Sequence, residues 1–445
     1  MTTSTDPLTA PITSIFLRYT IPGTLGLLAV SSAGVIDGAF VGNYVGSDAL
    51  AAVNFSMPVI SLVIGIAYML AIGGSVIAGK QLGEGDAKGA NQTFNALLFG
   101  SLFAGVTVSG LGLLALNPLV FSLGVSGDTT ELVSIYLELF LYFVPVIIVA
   151  VVLGYFVRID DQPLLASGAL IIGAVANVIF DWIFIVELEF GLAGAAWGTG
   201  LAELVTLLVV CVHFFRKECK LTIAWVGANW SVLPRACING SSDFINDLSA
   251  GITVLIFNWA IMTRLGVDGV AAFAIINYIL YMGIMVCYGI SDSVQPLISK
   301  NFGAGHFGRM RALMRTSMGT VFGMGLAIIA LLWFAPTQII KIFLDTDNAG
   351  TAALAMDFIV FVWPAFLFIG VNLSWSAYLT AIHKPIPSAI IATLRSLAFP
   401  ALLLLTLPRL FGDPGIYMAI PVSEFLCFIV AFYFWMKYRP SQLVP

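Results

Sequence analysis

Residues 46–85, GSDALAAVNFSMPVISLVIGIAYMLAIGGSVIAGKQLGEG, recur in altered form at residues 266–305, GVDGVAAFAIINYILYMGIMVCYGISDSVQPLISKNFGAG. The two stretches align without a gap at a displacement of 220 positions. Each begins with Gly-x-Asp, continues through a long apolar run and ends in Lys-x-x-Gly-x-Gly. An apolar run of this length is what a helix needs to cross the hydrocarbon core of a membrane. The repeat therefore predicts two halves, each built around an equivalent spanning helix.

Similar apolar runs occupy most of the remaining chain. They are too long for the strands of a membrane barrel, which need only about 10 residues. Six spans in each half give both halves the same orientation, which predicts a parallel repeat about an axis along the membrane normal. We predict twelve spans, at residues 15–40, 51–79, 93–116, 132–156, 164–186, 194–215, 237–263, 270–298, 313–335, 352–379, 388–408 and 416–436.

The predicted fold class is therefore an all-α polytopic membrane protein. Its twelve transmembrane helices would form two parallel-repeat six-helix lobes around a central cleft. Residues 1–215 form the predicted N-lobe, residues 216–236 a polar, basic cytoplasmic linker, and residues 237–445 the C-lobe.

Composition excludes several classes of protein. Of 445 residues, 60% are hydrophobic and only 10% are charged, against about 25% charged residues in soluble domains. The net charge of −5 leaves no basic surface for nucleic acid. The five cysteines include no Cys-x-x-Cys pair and the three histidines are far apart, so neither a disulfide framework nor a zinc site is predicted.

The distribution of Lys and Arg predicts the orientation. With twelve spans, 16 of these residues fall on the side that holds both termini and 3 fall on the other side. Cytoplasmic segments carry the excess of positive charge. We therefore expect a multi-pass protein of the cytoplasmic (inner) membrane with both termini in the cytoplasm.

The first half contains a group of polar residues inside its spans. Asp37 lies in span 1, Asn177 and Asp181 share one face of span 5, and Thr199 lies in span 6. A carboxylate within a span is unfavourable by a few kcal/mol and usually faces a cavity. Packed together, these oxygens could bind a hard cation such as Na⁺, or the two carboxylates could share a proton. The alternative is that Asn177 and Thr199 only join helices through hydrogen bonds.

Further polar candidates are less clustered. Glu203 extends the Thr199 face of span 6 by one turn, and Asp243, Asp247 and Asp292 are cavity candidates in the second half. Pro22 removes a backbone hydrogen bond from span 1, which predicts either a hinge or a static kink. The sequence suggests that the membrane interior holds carboxylates but almost no bases, a pattern that favours cations over anions as cargo.

The order of these features resembles the multidrug and toxic compound extrusion (MATE) family over nearly the whole chain. The resemblance rests on Pro22 and Asp37 in span 1, on the paired motifs at residues 45–52 and 265–272, and on those at residues 79–85 and 299–305. Within the family, the first-half residues are similar to the DinF-like branch. That resemblance implies a coupling-ion site at Asp37, Asn177, Asp181 and Thr199, with the Ala195 carbonyl as a further position and Pro22 as the hinge.

The resemblance does not extend to every family site. The NorM-type branch has a Glu inside helix 7, whereas here Ser249 lies near the expected place and Asp247 is the nearest acid. A cation site in the second lobe is therefore not implied.

The predicted function is a secondary active antiporter, not an enzyme. It would export organic, cationic amphipathic compounds by alternating access in exchange for H⁺ or Na⁺, with no cofactor. No G-x-x-x-x-G-K-[ST] motif for ATP occurs. The alternatives are a lipid-linked precursor flippase, which would need a more cationic cavity, and an exporter of one specific metabolite on the same fold. Its partners would be small organic substrates and membrane lipid, with no nucleic acid, and the chain would work as a monomer.

Overall fold

The computed structural model describes residues 6–443 except residues 126, 128, 217, 218, 226 and 344–348. All regular elements in these residues are helices. We number the spanning helices α1 to α12. In the first half they are α1 (Ile12–Phe40), α2 (Ser47–Gly83), α3 (Ala87–Leu114), α4 (Thr129–Ile159), α5 (Pro163–Asp181) and α6 (Gly191–Cys211).

The second half supplies six more spans. Two of these spans follow one another directly within residues Ser241–Gly303. They are separated at Gly266, whose φ of 67° is not helical. We call its parts α7 (241–265) and α8 (267–303). The others are α9 (Phe307–Phe334), α10 (Ala349–Val362 and Ala365–Ala381), α11 (Pro385–Thr393, continued by Phe399–Phe411) and α12 (Pro414–Tyr438). The twelve predicted spans are thus confirmed.

One span differs in detail from the simple prediction. The two parts of α10 meet at an angle of 56°, and Pro364 stands at the break. A proline removes a backbone hydrogen bond and clashes with the preceding turn. Pro145, at the corresponding place in α4 of the first half, lies inside an unbroken helix. The two halves are therefore similar in topology but not identical in shape.

Three short π-helical segments interrupt the regular helices. They follow α1 (Val41–Val45), follow α5 (Trp182–Glu187) and lie within α11 (Leu394–Ala398). A π segment leaves backbone carbonyls without their usual partners and is frequent at functional sites. The first two segments place Asp37 and Asp181 beside irregular backbone.

The apolar interior is divided between the halves. One large cluster contains residues of α7 to α12, and two others contain residues of the first half. The beginning of α1 is the exception, because Ile15, Phe16 and Tyr19 pack into the second-half cluster. Separate first-half and second-half cores are expected when each half is a lobe of its own.

Glycines bring the lobes into backbone contact near one end of the bundle. A side chain on Gly83 of α2 would collide with the carbonyl of Lys300, and one on Gly303 of α8 would collide with the carbonyl of Lys80. Further along α1 from this end, Gly23 lies against Ser293 of α8. This end of the bundle, where α1 begins and α12 ends, holds most of the Lys and Arg residues that the structure describes, among them Lys80 and Lys300, and we call it the basic end. The two halves are thus closely packed at the basic end.

Backbone conformation supports the repeat. Gly46 and Gly266 both have positive φ, as do Gly85 and Gly305, which are the paired positions of the repeated stretch. Outside that stretch, Asp161 and His383 have φ of 66° and 58° in the loops before α5 and α11. Positive φ is uncommon for residues with a side chain, so its recurrence at both loops marks equivalent positions in the two lobes.

Candidate functional site

The main polar site of the first lobe lies between α1, α5 and α6. Helix α5 packs along α1 and along α6. Asp181 is the last regular residue of α5 and is fully buried, and Asp37 lies one turn before the π segment that follows α1. The two carboxylates are close enough to interact electrostatically. The structure therefore brings together the two acids that the sequence singled out.

The carboxylates of this site have few partners. Both side-chain oxygens of Asp181 and the Oδ1 atom of Asp37 are buried and have no hydrogen-bond partner among the described residues. An isolated ionised carboxylate in an apolar interior is strongly unfavourable. The pair therefore needs a bound cation, a proton, or ordered water.

The closeness of α6 to Asp181 depends on a glycine. A side chain on Gly198 would collide with Oδ1 of Asp181, and one on Gly194 would press on the Phe184 carbonyl. Thr199 follows Gly198 directly and is half-buried. Small residues at these two positions thus let α6 approach the acid closely.

The other predicted members of this site lie on the same helices. Asn177 precedes Asp181 by one helical turn and is 8% exposed. Ala195 is completely buried in an apolar cluster that also contains Val41 and Ile185 from the two π segments. Within the described part of the chain, no hydrogen bond joins Asn177 or Thr199 to the unpartnered oxygens of Asp37 and Asp181, so their role as ligands stays a prediction.

Tyr136 of α4 was missed by the sequence reasoning. It is 4% exposed, belongs to the same cluster as Ala195, and lies within electrostatic reach of both Asp37 and Asp181. A tyrosine hydroxyl can donate to a carboxylate. Nothing in the apolar sequence around Tyr136 distinguishes it from a core aromatic residue.

A second polar cluster lies between the lobes. Asp243 and Asp247 of α7 and Asp292 of α8 interact electrostatically with one another. The first lobe contributes Tyr155, whose hydroxyl donates to Asp292 Oδ2 at 3.0 Å, and Tyr68, whose ring packs edge-on against Tyr155. The three acids are thus brought together at the surface where the lobes meet.

Glu203 and Pro22 are placed outside the Asp37–Asp181 pair. Glu203 is half-buried and lies within electrostatic reach of Tyr68, a member of the second cluster. Pro22 is half-buried, and α1 runs through it as one helix. A hinge at Pro22 therefore stays a prediction.

The expectation that buried bases are almost absent is wrong. Arg395 lies well inside α11 and donates from Nε to Glu424 Oε1 at 3.1 Å, while Asn372 donates to the other oxygen at 2.8 Å. Arg158 is 5% exposed, with its guanidinium 5.0 Å from the centre of the Tyr155 ring. Each base lies near an acid, since Arg158 interacts electrostatically with Asp292.

Comparison with known proteins decides the family. The MatE family model matches residues 5–183 and 252–403. The chain belongs to the MatE family. This MatE protein is 23% identical over 418 residues to the multidrug export protein MepA of Staphylococcus saprophyticus, covering 93% of this chain and 91% of that protein. It is 22% identical over 428 residues to MepA of Staphylococcus aureus, covering 95% and 93%.

Solved MATE structures share the fold. An outward-facing multidrug resistance MATE transporter of the MOP superfamily superimposes with a TM-score of 0.92 at 24% identity, covering 98% of each chain. A MOP superfamily transporter from Pyrococcus furiosus also gives 0.92 at 24% identity, covering 100% of this chain and 99% of that one. These likenesses confirm the two-lobed fold of twelve helices.

One ion pair joins the two lobes of this MatE protein at the basic end. Asp161, in the loop between α4 and α5, accepts a hydrogen bond from Lys300 Nζ of α8 at 2.6 Å and from Lys220 Nζ at 2.9 Å. The Tyr19 hydroxyl of α1 also donates to it at 3.1 Å. Burial favours the neutral acid, but the ammonium groups of Lys300 and Lys220 outweigh it and hold the pKa of Asp161 below its usual range.

The equivalent position in the second lobe carries no acid. His383 corresponds to Asp161 in the repeat, and Lys80 corresponds to Lys300. Burial, together with the nearby charges of Lys80 and Lys384, lowers the pKa of His383 to about 4. His383 is therefore neutral near pH 7. It could not pair with Lys80 in either protonation state, because a histidine side chain never carries a negative charge, and the acid that pairs with Lys80 is Glu84 of the same helix at 3.5 Å. Among the described residues, the Asp161–Lys300 salt bridge therefore has no counterpart at the loop that contains His383.

Proposed function

We propose that this MatE protein is a secondary antiporter that exports organic, cationic amphipathic compounds in exchange for H⁺ or Na⁺. The observation that carries the proposal is the pair formed by half-buried Asp37 and fully buried Asp181, with three buried carboxylate oxygens that lack hydrogen-bond partners among the described residues. Such a pair can bind and release a cation or a proton as its exposure changes. The similarity of this chain to the multidrug export proteins of two staphylococci supports drug-like organic compounds as cargo.

We propose that the coupling site is of the DinF-like kind. Asp37 and Asp181 would supply the charge, and Asn177, Thr199 and the Ala195 carbonyl would supply neutral oxygens for Na⁺ or hydrogen bonds for a protonated acid. Carboxylate, amide and carbonyl oxygens are suitable ligands for a hard cation. Pro22 would let α1 bend as the charge of Asp37 changes, because it removes a backbone hydrogen bond from that helix.

We propose that the lobes rock about their shared surface. Their close packing at the basic end, through Gly83, Gly303 and the Asp161–Lys300 pair, closes the cleft on that side. If the basic end is cytoplasmic, this is the outward-facing state. Since one chain carries both lobes, a single chain is the working unit.

A lipid-linked precursor flippase is the less favoured candidate. It would need unpaired positive charge for a pyrophosphate group. Among the described residues, the three buried Lys and Arg side chains each have a nearby acid: Arg395 with Glu424, Lys300 with Asp161, and Arg158 with Asp292. The cleft therefore offers little net positive charge.

The energy source can be tested in vesicles. Proteoliposomes with an imposed pH or Na⁺ gradient, each applied separately and without ATP, should export a fluorescent organic cation. Dissipating the gradient with an ionophore should stop export. Transport that requires added ATP, or that is independent of both ion gradients, would refute the proposal that the protein is an antiporter.

The orientation can be tested by labelling single cysteines. In a variant without its five native cysteines, Glu84→Cys lies at the basic end of α2 and Ser122→Cys at the opposite end of the bundle; both positions are exposed. An impermeant maleimide should label residue 84 only in inside-out vesicles and residue 122 only in intact cells. Labelling of both from the same side would contradict the twelve-span orientation.

A further inference from the structure

A compact group of three potential metal ligands lies where the first lobe meets the linker. Asp160 follows α4, His213 lies in the short 3-10 turn after α6 (Val212–Phe215), and Cys219 lies in the linker. One donor atom of each residue lies within 4.8 Å of the other two. This proximity was invisible in the sequence, because Asp160 is far from the other two along the chain.

The group is buried but incompletely hydrogen-bonded. Asp160 is 4% exposed and His213 is 2% exposed. Asp160 Oδ2 lies 2.7 Å from His213 Nε2 and accepts from the Lys220 amide at 3.0 Å. In contrast, Asp160 Oδ1 and His213 Nδ1 have no partner among the described residues. A buried polar atom without a partner is unfavourable, so Asp160 Oδ1 is available for a further ligand.

We propose that Asp160, His213 and Cys219 form a binding site for a transition-metal ion, with Zn²⁺ as the preferred ion. Carboxylate, imidazole and thiolate are the three side-chain ligand types that zinc takes in proteins, whereas a thiolate does not suit Na⁺, Mg²⁺ or Ca²⁺. Three protein ligands leave the fourth tetrahedral position for water. The site is separate from the proposed coupling site, and its existence does not depend on antiport.

The geometry requires only a small local adjustment. Zinc bonds of about 2.0–2.3 Å in a tetrahedron place ligand atoms roughly 3.3–3.8 Å apart. The Asp160–His213 contact must open, and the thiol of Cys219 must release the Leu221 carbonyl, to which it now donates at 2.8 Å. On binding, the metal–sulfur bond replaces the S–H bond and the proton passes to water.

The position of the site connects it to the ion pair between the lobes. Asp160 directly precedes Asp161, and Cys219 directly precedes Lys220, so two ligands are neighbours of two residues that pair at 2.9 Å. A metal ion would hold the end of α4 and the linker together. It would thereby fix Asp161 in the position from which it contacts Lys300.

Cobalt(II) provides a direct test, because a thiolate bound to it absorbs in the near ultraviolet. Untagged, full-length protein in detergent is titrated with Co²⁺ and then with Zn²⁺. The wild type should develop a sulfur-to-cobalt band that saturates at one metal per chain and disappears on addition of Zn²⁺. Cys219→Ser should lack this band. Cys211→Ser, which removes another half-buried thiol outside the group, should retain it.

Thermal melting provides a second measurement and checks that the variants fold. Zn²⁺ should raise the melting temperature of the wild type and of Cys211→Ser but leave that of Cys219→Ser unchanged. Absence of the band in folded wild type would overturn the proposal. A band that persists in Cys219→Ser, or that is lost in Cys211→Ser, would do the same.

Discussion

Asp37→Asn should reduce gradient-driven efflux to the level of protein-free vesicles, while the protein keeps its fold and its place in the membrane. Asn has nearly the same size as Asp but cannot carry the charge. The pocket between α1, α5 and α6 should therefore still form, and only the exchange of H⁺ or Na⁺ should stop. Efflux from proteoliposomes, with the melting temperature of the same preparation, is the measurement.

Related variants should follow a graded order. Asp181→Asn removes the second acid of the pair and should cause a loss as large as that of Asp37→Asn. Thr199→Ala removes one neutral oxygen and should weaken coupling less. Glu138→Gln is the matched control, because Glu138 is an exposed carboxylate of α4 that accepts a hydrogen bond from the Tyr142 hydroxyl at 3.2 Å. It should transport normally.

A different outcome would assign the coupling site to other residues. If well-folded Asp37→Asn shows near-normal efflux under the same gradient, Asp37 takes no part in coupling. The cluster of Asp243, Asp247 and Asp292 between the lobes would then be the better candidate. If activity and melting temperature fall together, Asp37 has a structural role instead.

Lys300→Met should shift the protein away from the state that is closed at the basic end. The substitution keeps the apolar stem of the side chain and removes the charge that pairs with Asp161 across the lobes. A hydrogen bond to a charged group contributes about 1.5–3 kcal/mol, which corresponds to roughly a 10- to 100-fold change in the closed-to-open ratio. Distances between spin labels on the two lobes would report this change.

The repeat supplies the control for this prediction. Lys80 occupies the equivalent position of the first lobe, but its partner Glu84 lies on the same helix and both side chains are substantially exposed. Exposed pairs within a helix contribute only about 0.3–0.5 kcal/mol. Lys80 Nζ also lies 5.8 Å from the centre of the Phe302 ring of α8, an exposed cation–π contact worth about 0.5–1 kcal/mol. Lys80→Met should therefore change the distance distribution much less than Lys300→Met. Equal effects of the two variants would show that the ion pair does not hold the lobes together.

The ion pair also predicts a pH dependence. The pKa of Asp161 is lower in the closed state than its usual value of about 3.9. A lowered pKa means that the stabilisation is complete above the usual value and is lost as the pH falls through the lowered value. The contribution of this pair should therefore be constant near neutral pH and decrease only below about pH 4.

Much of the fold could be predicted from the sequence because the membrane imposes it. A helix must satisfy its own backbone in lipid, so apolar runs such as residues 51–79 and 132–156 identify spans directly. Because each half of the repeat has six spans, both halves must have the same orientation in the membrane. The sequence could not predict the break in α10 at Pro364 when Pro145 leaves α4 intact, because the difference depends on packing around each proline.

The candidate site was predictable only in part. Asp37 and Asp181 stood out because acids are rare within spans. Tyr136 did not, since an aromatic residue in an apolar helix has the same appearance whether or not it faces an acid. The Asp160–His213–Cys219 group joins a loop, a helix end and the linker, a proximity that no sequence pattern records.

The most direct test of ion-coupled exchange at Asp37 is transport in reverse. Proteoliposomes receive a gradient of the organic substrate alone, with equal pH and Na⁺ on both sides, and the movement of H⁺ and Na⁺ is followed. An antiporter must move one of these ions in the direction opposite to the substrate, and Asp37→Asn must not. Substrate movement without any ion flux in the wild type, or the same ion flux in both proteins, would contradict the account.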